Sequence, residues 1–220
     1  TLLNSLRRTG AIPDLNYAEI NTDDIKEIIP EYQQIIDKGD GRAAAIVHSE
    51  SSFIASSAYS RSLQEGRHVI LDATLADPTK MTVKFDEAAR EGYRPTVFGI
   101  TVDIDQAEKW GRYRAEKTGR YVPESLLVDA HRSFNRNLDS FLESDIDFNL
   151  YESQADFGLV LVASSNENAK PTIHEPDLLA TARTRANYNP PRSDQGSDQG
   201  DRSEREKIAN LGRVSARRLV

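Results

Sequence analysis

Apolar residues in this chain fall into short continuous runs that alternate with helical stripes, and that alternation sets the fold class. Val69, Ile70 and Leu71 form an unbroken apolar run inside 67–72, the pattern of a strand buried on both faces of a parallel sheet. Residues 96–102, 148–151 and 158–162 read as further strands. A shorter one at 17–21 runs straight into Thr22-Asp23-Asp24, the composition of a helix start. Between the strands, helices are predicted over 42–65, 80–91, 105–117 and 123 to about 142, with Gly66 and Gly92 as stops. Residues 1–8 resemble the body of a helix ended by Gly10 and Pro13, and Ile25, Ile28, Ile29, Ile35 and Ile36 form an apolar face interrupted by Pro30. Strand–helix alternation of this kind predicts an α/β fold, a mainly parallel sheet flanked by helices.

The pattern fails after about Pro176. Asn189-Pro190-Pro191 and the doubled Ser-Asp-Gln-Gly of 193–200 are polar and offer little surface to bury, so a disordered C-terminal tail is expected. The predicted division is a folded domain over 1–165 and a low-complexity tail over 166–220, which proteolysis would trim to a core ending near Ser165. A net charge of −7 argues against a nucleic-acid or anionic-membrane partner. No apolar run approaches the ~20 residues that span a bilayer. No signal peptide is visible. The absence of cysteine excludes disulfide, thiolate–zinc and cysteine-nucleophile chemistry and fits a cytoplasmic location.

Several side chains are placed where chemistry could occur. Asp23 stands where a strand gives way to a helix, at the sheet edge where open α/β folds bind ligands. It is either a general base or the cap of the helix. Asp72 ends the most apolar strand and either faces a metal or caps the turn at Asp77-Pro78. Thr74 can donate to a substrate or phosphate oxygen, or simply belong to the turn. Arg112, Arg114, Lys117 and Arg120 crowd one helix and the loop after it, as a solvated basic face or a phosphate-binding lid hinged at Gly119. His48 and Glu50 open a helix, where a carboxylate is favoured by the dipole alone. Glu50 is also assigned to substrate binding. The four histidines show no metal-ligand spacing.

Taken in order, these segments resemble the zeta toxin family of P-loop small-molecule kinases, from Thr1 to about Tyr151. Ile20-Asn21-Thr22-Asp23-Asp24-Ile25-Lys26 followed by Pro30-Glu31-Tyr32 resembles the family's strand-to-helix segment, which implies Asp23 as catalytic base. Gly66 to Thr74 resembles its Gly-to-acid strand and implies Asp72 at Mg²⁺ with Thr74 near substrate. Arg112 and Arg120, the latter in Thr118-Gly119-Arg120-Tyr121-Val122-Pro123, resemble the arginines that contact phosphates. The chain departs from the family in three places. No Gly-x-x-x-x-Gly-Lys-Ser/Thr loop is present, and Thr1-Leu2-Leu3 resembles residues at or just after its end, which implies nucleotide contact at Thr1 and an incomplete copy of a longer protein. Ala73-Thr74-Leu75-Ala76 replaces a Gly-Thr-x-Arg run. Ser56 falls where sugar-nucleotide kinases of the family have an acid.

The resemblance implies a P-loop kinase-like fold and an ATP- or GTP-dependent phosphotransferase acting on a hydroxyl of a small molecule, with Mg²⁺ as cofactor and an antitoxin protein as partner. The competing expectation is a non-catalytic nucleotide-binding or protein-interaction module derived from such a kinase.

Overall fold

A computed structural model describes residues 2–40, 42–118, 122–154, 158–166 and 170–189. The amino-terminal half carries α1 (Leu2–Arg8), β1 (Tyr17–Ile20), α2 (Thr22–Glu27), α3 (Pro30–Ile36), α4 (Ala43–Ile46), α5 (His48–Gln64) and β2 (His68–Leu71). There follow α6 (Pro78–Arg90), β3 (Thr96–Thr101), α7 (Ile104–Thr118), α8 (Glu124–Arg136), α9 (Leu138–Leu142), β4 (Asp147–Ser153) and β5 (Leu159–Ser165). A short β6 (Thr172–Ile173), α10 (Pro176–Thr184) and a 3-10 turn (Arg185–Asn187) complete the described chain.

The helix ends follow local chemistry. Asn21 caps α2 by accepting the Asp23 N–H, and Asp77 caps α6 by accepting from Thr79 and Lys80, with Pro78 in the first turn. The predicted 42–65 helix is two helices that meet at Val47, and the predicted 123–142 helix is likewise interrupted at Asn137.

The sheet is mixed rather than mainly parallel. β1 and β2 pair in parallel as one small sheet, Ala18 opposite Val69 and Ile20 opposite Leu71. β3 and β4 pair in parallel in a second sheet, to which β5 and β6 add antiparallel. The hydrophobic run did not disclose this, because a strand's apolar content reports burial of its faces and not the direction of its neighbour. β2 is also less buried than its Val-Ile-Leu run predicts: Val69, Ile70 and Leu71 are all half-buried.

The larger core lies under the second sheet, where Val97, Phe134, Leu138, Phe148, Leu150 and Val162 pack together. Gly99 sits in β3 against two of these rings. A Cβ there would approach Phe148 to 2.8 Å and Phe134 to 3.0 Å, so the absent side chain lets the rings lie on the backbone. A smaller cluster of Ile20, Ala55, Tyr59, Leu63 and Ala88 joins β1, α5 and α6.

The fold does not end near Ser165. α10 buries Leu179 and Ala182 in the larger core, and Arg185 beyond it makes a two-pronged ion pair with Glu152 of β4, at 2.7 and 2.8 Å. Glu152 occupies an inward-facing position of the alternating β4 pattern, and the later segment supplies its charge with a partner. The rest of the predicted tail, residues 190–220, lies outside the described residues. Among the described residues no helix is long and apolar enough to cross a membrane.

Candidate functional site

β1 and β2 run side by side and both end at the same edge, which brings Asn21, Asp23 and Asp72 together. Asn21 is the link. Its Oδ1 accepts the Asp23 backbone N–H at 2.8 Å, and its Nδ2 donates to Asp72 Oδ2 at 2.8 Å. Asp23 therefore does not cap α2, and Asp72 does not cap the following turn; Asn21 and Asp77 perform those tasks. The local readings of both carboxylates as caps give way, and both are left on the cleft.

The electrostatics of the cleft are those of carboxylates gathered with cations. Asp72 is raised from the ordinary carboxylate value, first by desolvation within the cleft, then by the charges of Asp23 and Asp24, while Arg114 draws it down. Lys26, one turn along α2, donates from Nζ to Asp23 Oδ1 at 2.8 Å. The Tyr32 hydroxyl of α3 is raised by burial and then by Asp23. His48, at the start of α5, is lowered first by desolvation, then by Lys26 and Lys80, with Asp23 opposing. Its imidazole is therefore biased to the neutral form.

The remaining predicted residues divide. Thr74 lies two residues beyond Asp72 on the wall of the neighbouring groove. The turn that carries it is held by Leu75, which takes a left-handed φ of 54° and packs onto the larger core. Arg112 is exposed and faces Glu108 at 3.8 Å. The charge that reaches Asp72 belongs to Arg114, two residues and about 200° further round α7. Glu50 lies exposed on the first turn of α5. His48, two residues earlier and on the opposite side of the helix, feels the charges of Lys26, Lys80 and Asp23. Arg120 and Thr1 lie outside the described residues.

Sequence reasoning passed over Asn21, Lys26 and Lys80 and preferred Arg112 to Arg114. The signal for Lys26 was present: residues three apart on a helix share a face, so a lysine at Asp23 plus three is placed to meet it.

A groove of about 710 Å³ opens beside this cluster. Its wall includes Val69, Ile70 and Leu71 of β2, then Asp72, Ala73 and Thr74, and opposite them Thr96, Val97 and Phe98 of β3. Successive strand residues point to opposite faces, so a groove lined by consecutive residues runs along the edges of both strands. Each is the end strand of its sheet, and Leu3, Leu6, Phe85 and Phe134 give the groove apolar sides. The open edge explains the incomplete burial of β2.

No group of three or more histidine, aspartate or glutamate side chains among the described residues could enclose a metal ion. Asp72 with its single carboxylate still suits Mg²⁺, which keeps much of its water and takes one or two carboxylates together with phosphate oxygens.

A family model described as Zeta toxin matches residues 1–155. No curated protein matches. Two solved structures share the fold. A crystal structure of AvrRxo1-ORF1:-ORF2 with ATP superposes with a TM-score of 0.62 at 16% identity, covering 99% of this chain and 69% of that one. The native AvrRxo1-ORF1:-ORF2 complex gives 0.57 at 17% identity, covering 96% of this chain and 63% of the other. The chain thus spans under two thirds of the second structure's length.

Proposed function

The chain belongs to the zeta toxin family, and from that premise we propose that it forms the acceptor side of a kinase that moves a phosphoryl group from ATP or GTP to a hydroxyl of a small molecule. The observation that carries the reading is the Asn21 bridge, which holds two carboxylates with different environments at the ends of adjacent parallel strands. Phosphoryl transfer asks the protein for positioning and charge stabilisation more than for covalent chemistry. Asp23, paired to Lys26, accepts the proton of the acceptor hydroxyl as it attacks. Asp72 and water would hold Mg²⁺, which supplies positive charge to the phosphate oxygens. Arg114 and Lys80 add cationic charge around the same cleft, and Arg112 and Arg120 would contact phosphates as the family resemblance implies. Thr74 donates to substrate, with Glu50 at the outer rim of the acceptor site.

The groove between β2 and β3 supports the donor side of this reading. A strand laid in it would pair with both open edges and join the two sheets into one. A glycine-rich loop leaving that strand would arrive beside Asp72 and Thr74, where its backbone N–H groups could cradle phosphates. An antitoxin partner in the cytoplasm belongs to the same proposal; the two matched structures are ORF1:-ORF2 assemblies by name.

The test uses this chain joined at its amino terminus to a strand and a Gly-x-x-x-x-Gly-Lys-Ser/Thr loop. It should transfer phosphate, and Asp23→Asn should slow transfer by about 10²–10⁴-fold while nucleotide affinity stays near that of the parent. A variant as fast as the parent would remove Asp23 from the base role. Nucleotide binding with no transfer to any small-molecule hydroxyl would favour the non-catalytic binding module.

A further inference from the structure

Lysine is rarely buried unless paired, and Lys26 retains only 9% of its surface. Its partner is less enclosed: the side chains of Lys26 and Asp23 are 11% and 40% exposed, with Nζ and Oδ1 2.8 Å apart. An ion pair one turn apart on a surface helix contributes almost nothing, because water screens both charges. Here the ammonium is largely withdrawn from water while the carboxylate stays partly exposed, so the pair is screened less than a fully exposed one. Among the described residues Asp23 Oδ1 is the one hydrogen-bond acceptor of Nζ. Asn21 Oδ1 meanwhile holds the Asp23 backbone N–H. The carboxylate is thus tethered through both its main chain and its side chain.

We propose that Lys26 is a positioning residue for Asp23, fixing one carboxylate oxygen in place and favouring its ionised form. The proposal deepens the reading of Asp23 as the base and takes its catalytic meaning from that reading. A base held at low pKa withdraws a proton less strongly. The loose transition state of phosphoryl transfer makes little demand for that strength, and it gains more from an acceptor oxygen that is always charged and always in one place.

Other charges gather around the same cleft. Asp23 and Asp72 oppose each other's ionisation, and Asp24 on α2 opposes that of Asp72. Lys80 on α6 acts on His48, and Arg114 on α7 acts on Asp72. Tyr32 on α3 and His48 on α5 are biased to their neutral forms beside Asp23. Lys26 is a cation in direct contact with the carboxylate, so its removal withdraws a stabilising positive charge and moves Asp23 upward.

The experiment is a carboxyl-carbon NMR titration of the 220-residue chain in metal-free buffer. In the parent the Asp23 midpoint should lie below the ordinary value of ~3.9. Lys26→Met and Lys26→Gln, which keep the volume and remove the charge, should each raise it by about one unit or more. Lys26→Arg should restore a midpoint close to the parent's, which a purely space-filling role would not require. A parent midpoint at or above the ordinary value overturns the proposal without any variant. So does an unchanged midpoint in both neutral variants, or an arginine variant that behaves like them. The titration needs no turnover, so it fails independently of the base assignment: a shifted midpoint together with an undiminished Asp23→Asn transfer rate would refute the base and leave the Lys26 coupling standing.

Discussion

Replacing Arg185 with alanine is the sharpest test of how this fold is closed. Its guanidinium donates from Nη1 and Nη2 to the two carboxylate oxygens of Glu152, and Nη1 also reaches Thr101 Oγ1 at 2.9 Å. The side chains are only 12% and 9% exposed, so the alanine variant would strand the Glu152 carboxylate in a nearly dry site. Thr101 would keep its bond to Asn135, at 2.8 Å, and would not rescue the charge. Removing one partner of a buried pair costs about 3–5 kcal/mol, a large part of the roughly 5–15 kcal/mol that holds a domain together. For a chain of this size the melting temperature should fall by about 6–20 °C. Thermal and urea unfolding at pH 7, followed by far-ultraviolet circular dichroism, would measure the loss. The double replacement Arg185→Met with Glu152→Met should recover most of it, because two well-packed apolar side chains leave no charge to solvate. A loss below about 1 kcal/mol, the figure for a solvent-exposed pair, would refute the reasoning and return the segment after Ser165 to a peripheral role.

Three further outcomes are expected. Gly99→Ala should destabilise by about 1–3 kcal/mol in urea titration, since Phe148 and Phe134 must both retreat from the new Cβ; an unchanged midpoint would mean that the rings move freely. Asn21→Ala should cost about 0.5–2 kcal/mol through the lost cap. It should also raise the Asp72 midpoint in the same NMR titration, because a donor to the charged form is gone; an unmoved Asp72 would break the Asn21 link. The Tyr59 hydroxyl is pushed up to about 12, first by burial and then by Glu87, whereas an unfolded tyrosine ionises near ~10. The unfolded state therefore releases this proton first, and stability should fall as pH rises from about 10 towards 12. Tyr59→Phe should flatten that slope, and an equal slope in the variant would remove Tyr59 as its source.

The elements were largely legible because their signals are local. Gly66 and Gly92, Asp77-Pro78 and the apolar runs of β2 and β3 act over a few residues, and the order of strands and helices followed from them. The same holds for the family likeness carried by Asp23, Asp72 and their neighbours, which a family model over 1–155 supports. Where such signals were weak, at Val47 and Asn137, two helices were read as one.

Tertiary structure decided everything that depends on residues far apart in the chain. Strand direction was one such property, since β4 is parallel to β3 and antiparallel to β5 with no change in its own alternation. The boundary near Ser165 was another. A polar, low-complexity stretch beyond Pro190 made the whole segment look dispensable, yet Leu179 sits in the core and Arg185 pairs with the inward-facing Glu152, 33 residues before it. That Arg114 of α7 is the arginine whose charge reaches Asp72 depended on tertiary placement, and the burial of Lys26 depended on what packs against α2. A sequence records which groups can pair. Which of them are withdrawn from water, and so pair strongly enough to matter, is settled only when the distant elements close around them.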